Sequence, residues 1–347
     1  MNCQTMNRWL FACLLITFTF GCRAFHSQRT KEYSKIVFLS NRDAPKRQFD
    51  IFMMNPDGSQ QENLTKDLSS VRSVSRPLLS PSETKILFIA FEQENPALQL
   101  LDFQSRTIQN LTGVGLADPQ ASFNPQGDKL VFVKRMAGRR QIHVIHTDGS
   151  GERNLSGNKH DEFDPAFSAD GSKLIFVSKR AGANIICTMD TDGSSRKQLT
   201  TEFGGHNRYP VFSPDGAEIA FSTEFGQFSD IYLMKNDGTN LKKLTNSNAY
   251  NTQSIFSPDG SKITFLSNQR GMKYRDICIM DTDGKGFLNL TNGLNYINQH
   301  ATFTPDGKSI IFGSVKFNNS EIYRVDINGQ NLKNLTNHPE WDQFPTL

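Results

Sequence analysis

The chain has 347 residues, and its 38 Lys+Arg against 35 Asp+Glu leave a formal net charge of +3. A balance so near neutral lacks the basic stripe with which nucleic-acid binders hold a phosphate backbone, so no DNA or RNA partner is expected. With 27 Phe, 25 Gly and 14 Pro, the composition favours many short β-strands joined by tight turns.

The first element is an apolar run, Trp9 to Gly21, behind a short segment carrying Arg8 and ending in Gly21-Cys22. As a helix it would span about 20 Å, against roughly 30 Å for a bilayer core, which is too short for a stable anchor and fits a secretory signal. The small residue before Cys22 resembles the lipobox of bacterial lipoproteins. That resemblance implies removal of residues 1–21, a lipid on Cys22, and a polar tether over residues 22–33 ahead of a folded domain at 34–347. The alternative is a soluble periplasmic or secreted protein. Two further cysteines, Cys187 and Cys278, occupy equivalent positions two repeats apart, too far for a disulfide, and are expected as buried free thiols.

From Ser34 onward the sequence repeats itself. The clearest copy reads Pro210-Val211-Phe212-Ser213-Pro214-Asp215-Gly216, then Glu218 to Ser222, then Asp230-Ile231-Tyr232-Leu233-Met234, then Asp237-Gly238 and Lys243-Leu244-Thr245. Pro-Asp-Gly supplies a preset φ, a turn-capping carboxylate and a position with φ > 0, so it marks a reversal between strands. The second Asp-Gly marks another. The alternating runs between these turns predict half-buried strands, four to a unit, named A to D in chain order.

Strand D ends at Thr65, Thr112, Ser156, Thr200, Thr245, Thr291 and Thr336, giving seven units spaced by about 44 to 47 residues. The first unit begins at strand B, Ser34 to Phe38, while the chain ends on Gln343-Phe344-Pro345-Thr346-Leu347, which reads as a strand A with nothing after it. Together the two ends complete one blade. The expected fold is therefore an all-β, seven-bladed propeller of four-stranded blades, closed by the C-terminal strand joining the N-terminal blade and needing no unpaired edge.

The phrase Phe-Ser-Pro-Asp-Gly, then Asp-Ile-Tyr-x-Met, Asp-Gly and Leu-Thr, resembles the propeller repeat of TolB proteins of the bacterial Tol-Pal envelope system. The resemblance implies a non-catalytic, monomeric binding ring in the periplasm. It would meet an envelope protein, such as a peptidoglycan-associated lipoprotein, or a glycan at one face, with no cofactor. The same repeat is similar to that of seven-bladed oligogalacturonate lyases, which implies an alternative metal-assisted sugar-acid lyase with His206, Gln299, His300 and His338 as ligands. No Gly-x-Ser-x-Gly, Gly-x4-Gly-Lys-Ser/Thr or His-Glu-x-x-His motif occurs in the sequence. The Asp-x-Asp-Gly pieces, Asp190 to Gly193 and Asp281 to Gly284, fit strand-connecting turns better than calcium loops.

Binding residues are expected in the D–A connections, which in a propeller surround one mouth of the channel. The candidates are Arg76, Asp118, Asp164, Arg208, Tyr209, Gln253, His300, Trp341 and Asp342, with the aromatic and Arg side chains as amphipathic anchors within a polar rim.

Overall fold

The computed structural model describes residues 35–43, 48–66, 74–92, 95–113, 116–157, 159–201, 204–246, 248–294 and 296–347. The signal segment, Cys22 and the tether lie outside the described residues. Lys31–Leu347 is one compact unit, and every described strand within it is antiparallel to the next in its own repeat.

The chain ends meet as their complementary strands suggest. Strand Asp342–Thr346 pairs antiparallel with Ile36–Ser40, which continues through Asp50–Met54 to Glu62–Asn63. The expectation of seven separate blades is corrected. The described strands form five four-stranded blades and one eight-stranded sheet, because the unit Asp161–Gln198 and the unit His206–Lys243 are joined by a parallel pairing of Asn184 with His206. That pairing carries backbone hydrogen bonding from the start of one strand C into the start of the next strand A. The sequence gives no hint of it, since a register contact between repeats needs no distinctive residue.

Local chemistry explains the repeated letters. At the A–B turn, Ser213 Oγ accepts the Glu218 N–H at 2.9 Å and donates to Asp215 at 2.5 Å, while Gly216 takes a φ of 72°. At the end of every strand D, the hydroxyl accepts a backbone N–H at the start of strand C. Thr65 takes Ile51, Thr112 takes Leu98, Ser156 takes Ile142, Thr200 takes Ile186, Thr245 takes Ile231, Thr291 takes Ile277 and Thr336 takes Ile322, all between 2.7 and 3.0 Å. Where an acid precedes that residue, as at Asp230 or Glu321, the hydroxyl donates onward to it, at 2.7 and 2.6 Å. The motif Asp-Ile-Tyr is thus a carboxylate closing a buried polar chain at the sheet's last strand.

The core lies between units rather than within them. One cluster joins Val37, Leu39 and Ile51 to Ile86, Phe88 and Leu101 of the next unit, and another joins Ile311 and Ile322 of the last to Ile36, Phe38 and Met54 of the first. Strands B are consequently buried along both faces, as Ile36–Ser40 is throughout, whereas alternation had predicted half-buried strands. At the closing seam, Gly58 has φ +89°, and a Cβ there would overlap the Leu335 carbonyl. Cys187 and Cys278 are buried free thiols, each pushed by burial up to about 12.

Candidate binding site in the channel

The innermost strands A converge on a cavity of about 470 Å³ and an adjoining one of about 310 Å³. Both are walled by Gln120, Pro165, Val211, Ile255 and His300, contributed by five different strands A. The larger also receives Arg76 and Phe344, so its wall draws on the strands A of every repeat.

Each strand A is interrupted at the same point. Its pairing with strand B slips between Ser75 and Leu78, Phe163 and Ala166, Arg208 and Val211, Thr252 and Ile255, and Gln299 and Thr302. Two residues there oppose one, a β-bulge. The first of the two is left-handed: Arg76 at φ 48°, Asp164 at 53°, Tyr209 at 52°, Gln253 at 54°, His300 at 53° and Phe344 at 55°. Opposite each bulge lies the central Phe of strand B, namely Phe88, Phe176, Phe221, Phe265, Phe312 and Phe38, at most 1% exposed. Non-glycine residues seldom take this conformation, so its recurrence shows the strand bent by design toward the channel.

Five of the nine predicted binding residues, Arg76, Asp164, Tyr209, Gln253 and His300, occupy this bulge. They lie inside strands A rather than in D–A connections, which corrects the expected location. The bulge breaks the period-two pattern, and a broken strand with polar residues reads as loop. In the third repeat the expected Asp118 is not at the matching position. Counting four residues back from the Ser, Asn or Thr that opens the A–B turn gives Gln120 as its counterpart, not Asp118, and Gln120 lines both cavities. Asp118 sits in strand Leu116–Phe123, and its side chain lies outside the described residues. Phe344, in the closing strand, shares the left-handed conformation and lines the larger cavity.

The ring is electrostatically uneven. Asp164 is 5% exposed; its Oδ2 accepts from Arg208 Nε at 2.9 Å and from the Tyr209 N–H at 3.2 Å, while its Oδ1 is buried with no hydrogen-bond partner. Arg208 lies over the rings of Phe163 and Tyr209 at 5.0 and 4.8 Å. Burial works against its charge, but the Asp164 carboxylate more than restores it, holding the guanidinium above its ordinary value. Across the channel His300 stacks on Phe344 with centroids 4.0 Å apart. Burial foremost, then Arg76 and Arg275, lowers its imidazole to about 4.

Three other candidates have structural duties. Arg208 is the partner of Asp164. Asp342 is fully buried and ion-paired with Arg42 at 2.6 Å, so it offers nothing to a partner, correcting that assignment. Trp341 packs at the entry to the closing strand, its Nε1 donating to the Asn318 carbonyl at 2.7 Å. The alternative ligand set is not gathered: His206 is exposed at the head of its strand, His338 Nδ1 accepts the Glu340 N–H at 3.2 Å, and only His300 faces the cavities. Among the described residues no three His, Cys, Asp or Glu side chains are placed to hold a metal ion.

Comparison with known proteins fits this architecture. The family model described as the TolB beta propeller domain matches residues 25–203 and 194–337. TolB from Acinetobacter baumannii is 19% identical with a TM-score of 0.57, over 90% of this chain and 66% of that one. An oligogalacturonate lyase in complex with manganese is 17% identical with a TM-score of 0.64, over 87% of this chain and 84% of that one. A puromycin hydrolase gives a TM-score of 0.68 at 12% identity, over 88% of this chain but 52% of that one. At these identities the likeness is one of fold.

Proposed function

We propose that this chain, which belongs to the TolB beta propeller domain family, is a non-catalytic binding ring of the bacterial cell envelope that takes a segment of a protein or glycan partner at its channel. The single observation that carries this is the contrast between two kinds of repeated position. Where the frame serves the fold, one residue type recurs: Phe opposite the bulge, Thr or Ser at the end of strand D. At the bulge itself the same backbone presents Arg76, Asp164, Tyr209, Gln253, His300 and Phe344, and the remaining repeat brings Gln120 to the same cavities. A rigid, pre-bent backbone carrying varied chemistry toward one space is the form of a recognition surface.

The orphaned Oδ1 of Asp164 supports this reading, because a buried acceptor without a donor favours a ligand that brings one. A periplasmic setting, a lipid on Cys22 and a peptidoglycan-associated lipoprotein as partner belong to the same proposal. A photoreactive residue in place of the exposed Gln253, followed by mass spectrometry of captured products from intact cells, tests it. Capture of one defined envelope protein or glycan fragment, lost in Arg76→Ala, is expected. Absence of any specific product, with robust expression of the folded ring, overturns it.

A further inference from the structure

Strands B and C of each unit are joined by a hairpin at the end of the ring where strand A begins, as the neighbouring pairs Asn184–His206, Ser229–Tyr250 and Arg275–Ile297 show. These hairpins carry five of the ten large apolar side chains exposed among the described residues, including the two most exposed. Phe317 is 92% exposed and Met272 89%, and Phe225, Phe228 and Met136 project from others. They are spread over four hairpins, with Phe225 and Phe228 facing each other on one of them, instead of merging into one patch.

Basic residues flank them. Arg135, Arg139, Lys273, Arg275 and Lys316 are exposed on the hairpins of Met136, Met272 and Phe317, and Lys179 is exposed on a further hairpin. The acids nearby are mostly engaged: Asp161 with Arg140 at 2.7 Å, Asp276 with Arg270 at 2.5 Å, and Glu224 as acceptor from Tyr250. Asp43 on the first hairpin is exposed and accepts from Asn63 at 3.1 Å. The hairpin end is therefore a broad basic surface studded with isolated apolar tips.

We propose that this end docks on an anionic membrane surface, with the hairpin tips entering the headgroup region. A compact protein partner would call for one contiguous apolar patch. Separate tips spread over several units, with Lys or Arg beside Met136, Met272 and Phe317, match a planar surface that is negative at its face and apolar just beneath. Charge complementarity selects the bilayer's anionic lipids, each nearby cation adding attraction that decays within a Debye length. The proposal does not depend on the channel site or on a lipid at Cys22.

The test uses residues 23–347, which retain the whole compact unit and both strands of the closing pair but not the apolar signal run. Sedimentation with vesicles of phosphatidylcholine, with and without about a third phosphatidylglycerol, is compared at low salt. Binding is expected only with the anionic vesicles. Arg139→Glu with Lys273→Glu and Lys316→Glu should weaken it at least tenfold, and Phe317→Ser with Met272→Ser several-fold, with melting temperatures unchanged. No binding to anionic vesicles, or binding indifferent to both sets of substitutions, overturns the proposal. Sensitivity to the charge substitutions alone, matched by equal affinity for a soluble polyanion such as heparin, would identify an anionic polymer and overturn it as well.

Discussion

Arg42 and Asp342 are 300 positions apart in the chain, yet Nη2 of one stands 2.6 Å from Oδ2 of the other across the strand pair that closes the ring. Asp342 is fully buried, and burial pushes its carboxyl above the ordinary range against the pull of Arg42. Removing one partner would strand a desolvated charge on the other. Asp342→Ala should therefore cost about 3 kcal/mol in urea unfolding, and deletion of Trp341 to Leu347 should abolish cooperative unfolding. An unchanged midpoint in both would mean that the ring does not depend on its last strand.

The hydroxyl at the end of strand D is a second point of leverage. Thr245→Val removes the acceptor for the Ile231 N–H and the donor to Asp230 Oδ1, leaving that N–H unpaired and the carboxylate with Lys243, at a cost of about 2 kcal/mol. Thr245→Ser keeps both bonds and should fall within about 0.5 kcal/mol of the parent. Equal losses for the two variants would assign the effect to packing.

His300 sets a pH dependence. Its folded imidazole is lowered to about 4 from an ordinary 6.5, so the neutral form is the one the channel accommodates. Between these values the unfolded chain binds more protons than the folded one, and stability rises with pH. His300 is thus fully compatible with the fold above pH 6.5 and works against it as pH falls toward 4. His300→Gln should flatten the dependence of the unfolding free energy over that interval by about 2 kcal/mol. Parallel profiles for parent and variant would contradict the placement of His300 among buried apolar groups.

The bulge gives a fourth test at Gln253, which is exposed and has φ 54°. Gln253→Gly removes the steric cost of the left-handed conformation and should leave stability unchanged or raise it by up to about 1 kcal/mol. Gln253→Val puts a β-branched side chain there and should lower stability by about 1 to 2 kcal/mol. Similar results for both would show that the strand relaxes its bulge when substituted.

The repeat, its strands and turns, and the meeting of the chain ends could be read from the sequence because each rests on local chemistry: Pro-Asp-Gly turns, alternating Ile and Phe, a Thr at a fixed place. The site was legible only in part. Arg76, Asp164, Tyr209, Gln253 and His300 are polar residues near a proline or turn, and in sequence they read as loop because a bulge erases the alternation that marks a strand. Asp118 is an acid in the same stretch, but Gln120 holds the matching position, four residues before the Asn124 that opens the A–B turn. Asp342 looked like a surface group because nothing near it in sequence announces Arg42. The Asn184–His206 link was invisible for a like reason, being a backbone contact between repeats.

That link belongs to a series. Main-chain bridges also cross the next two seams, at Ser229–Tyr250 and Arg275–Ile297, whereas the closing seam is crossed by a side chain, with Ser320 Oγ donating to the Asp342 carbonyl at 2.9 Å. Three consecutive seams among the described residues are thus bridged by main chain, and the closing seam by a side group. The strand that carries Phe344 into the bore is tied to the preceding unit through a serine hydroxyl, beside the point where Phe344 meets His300.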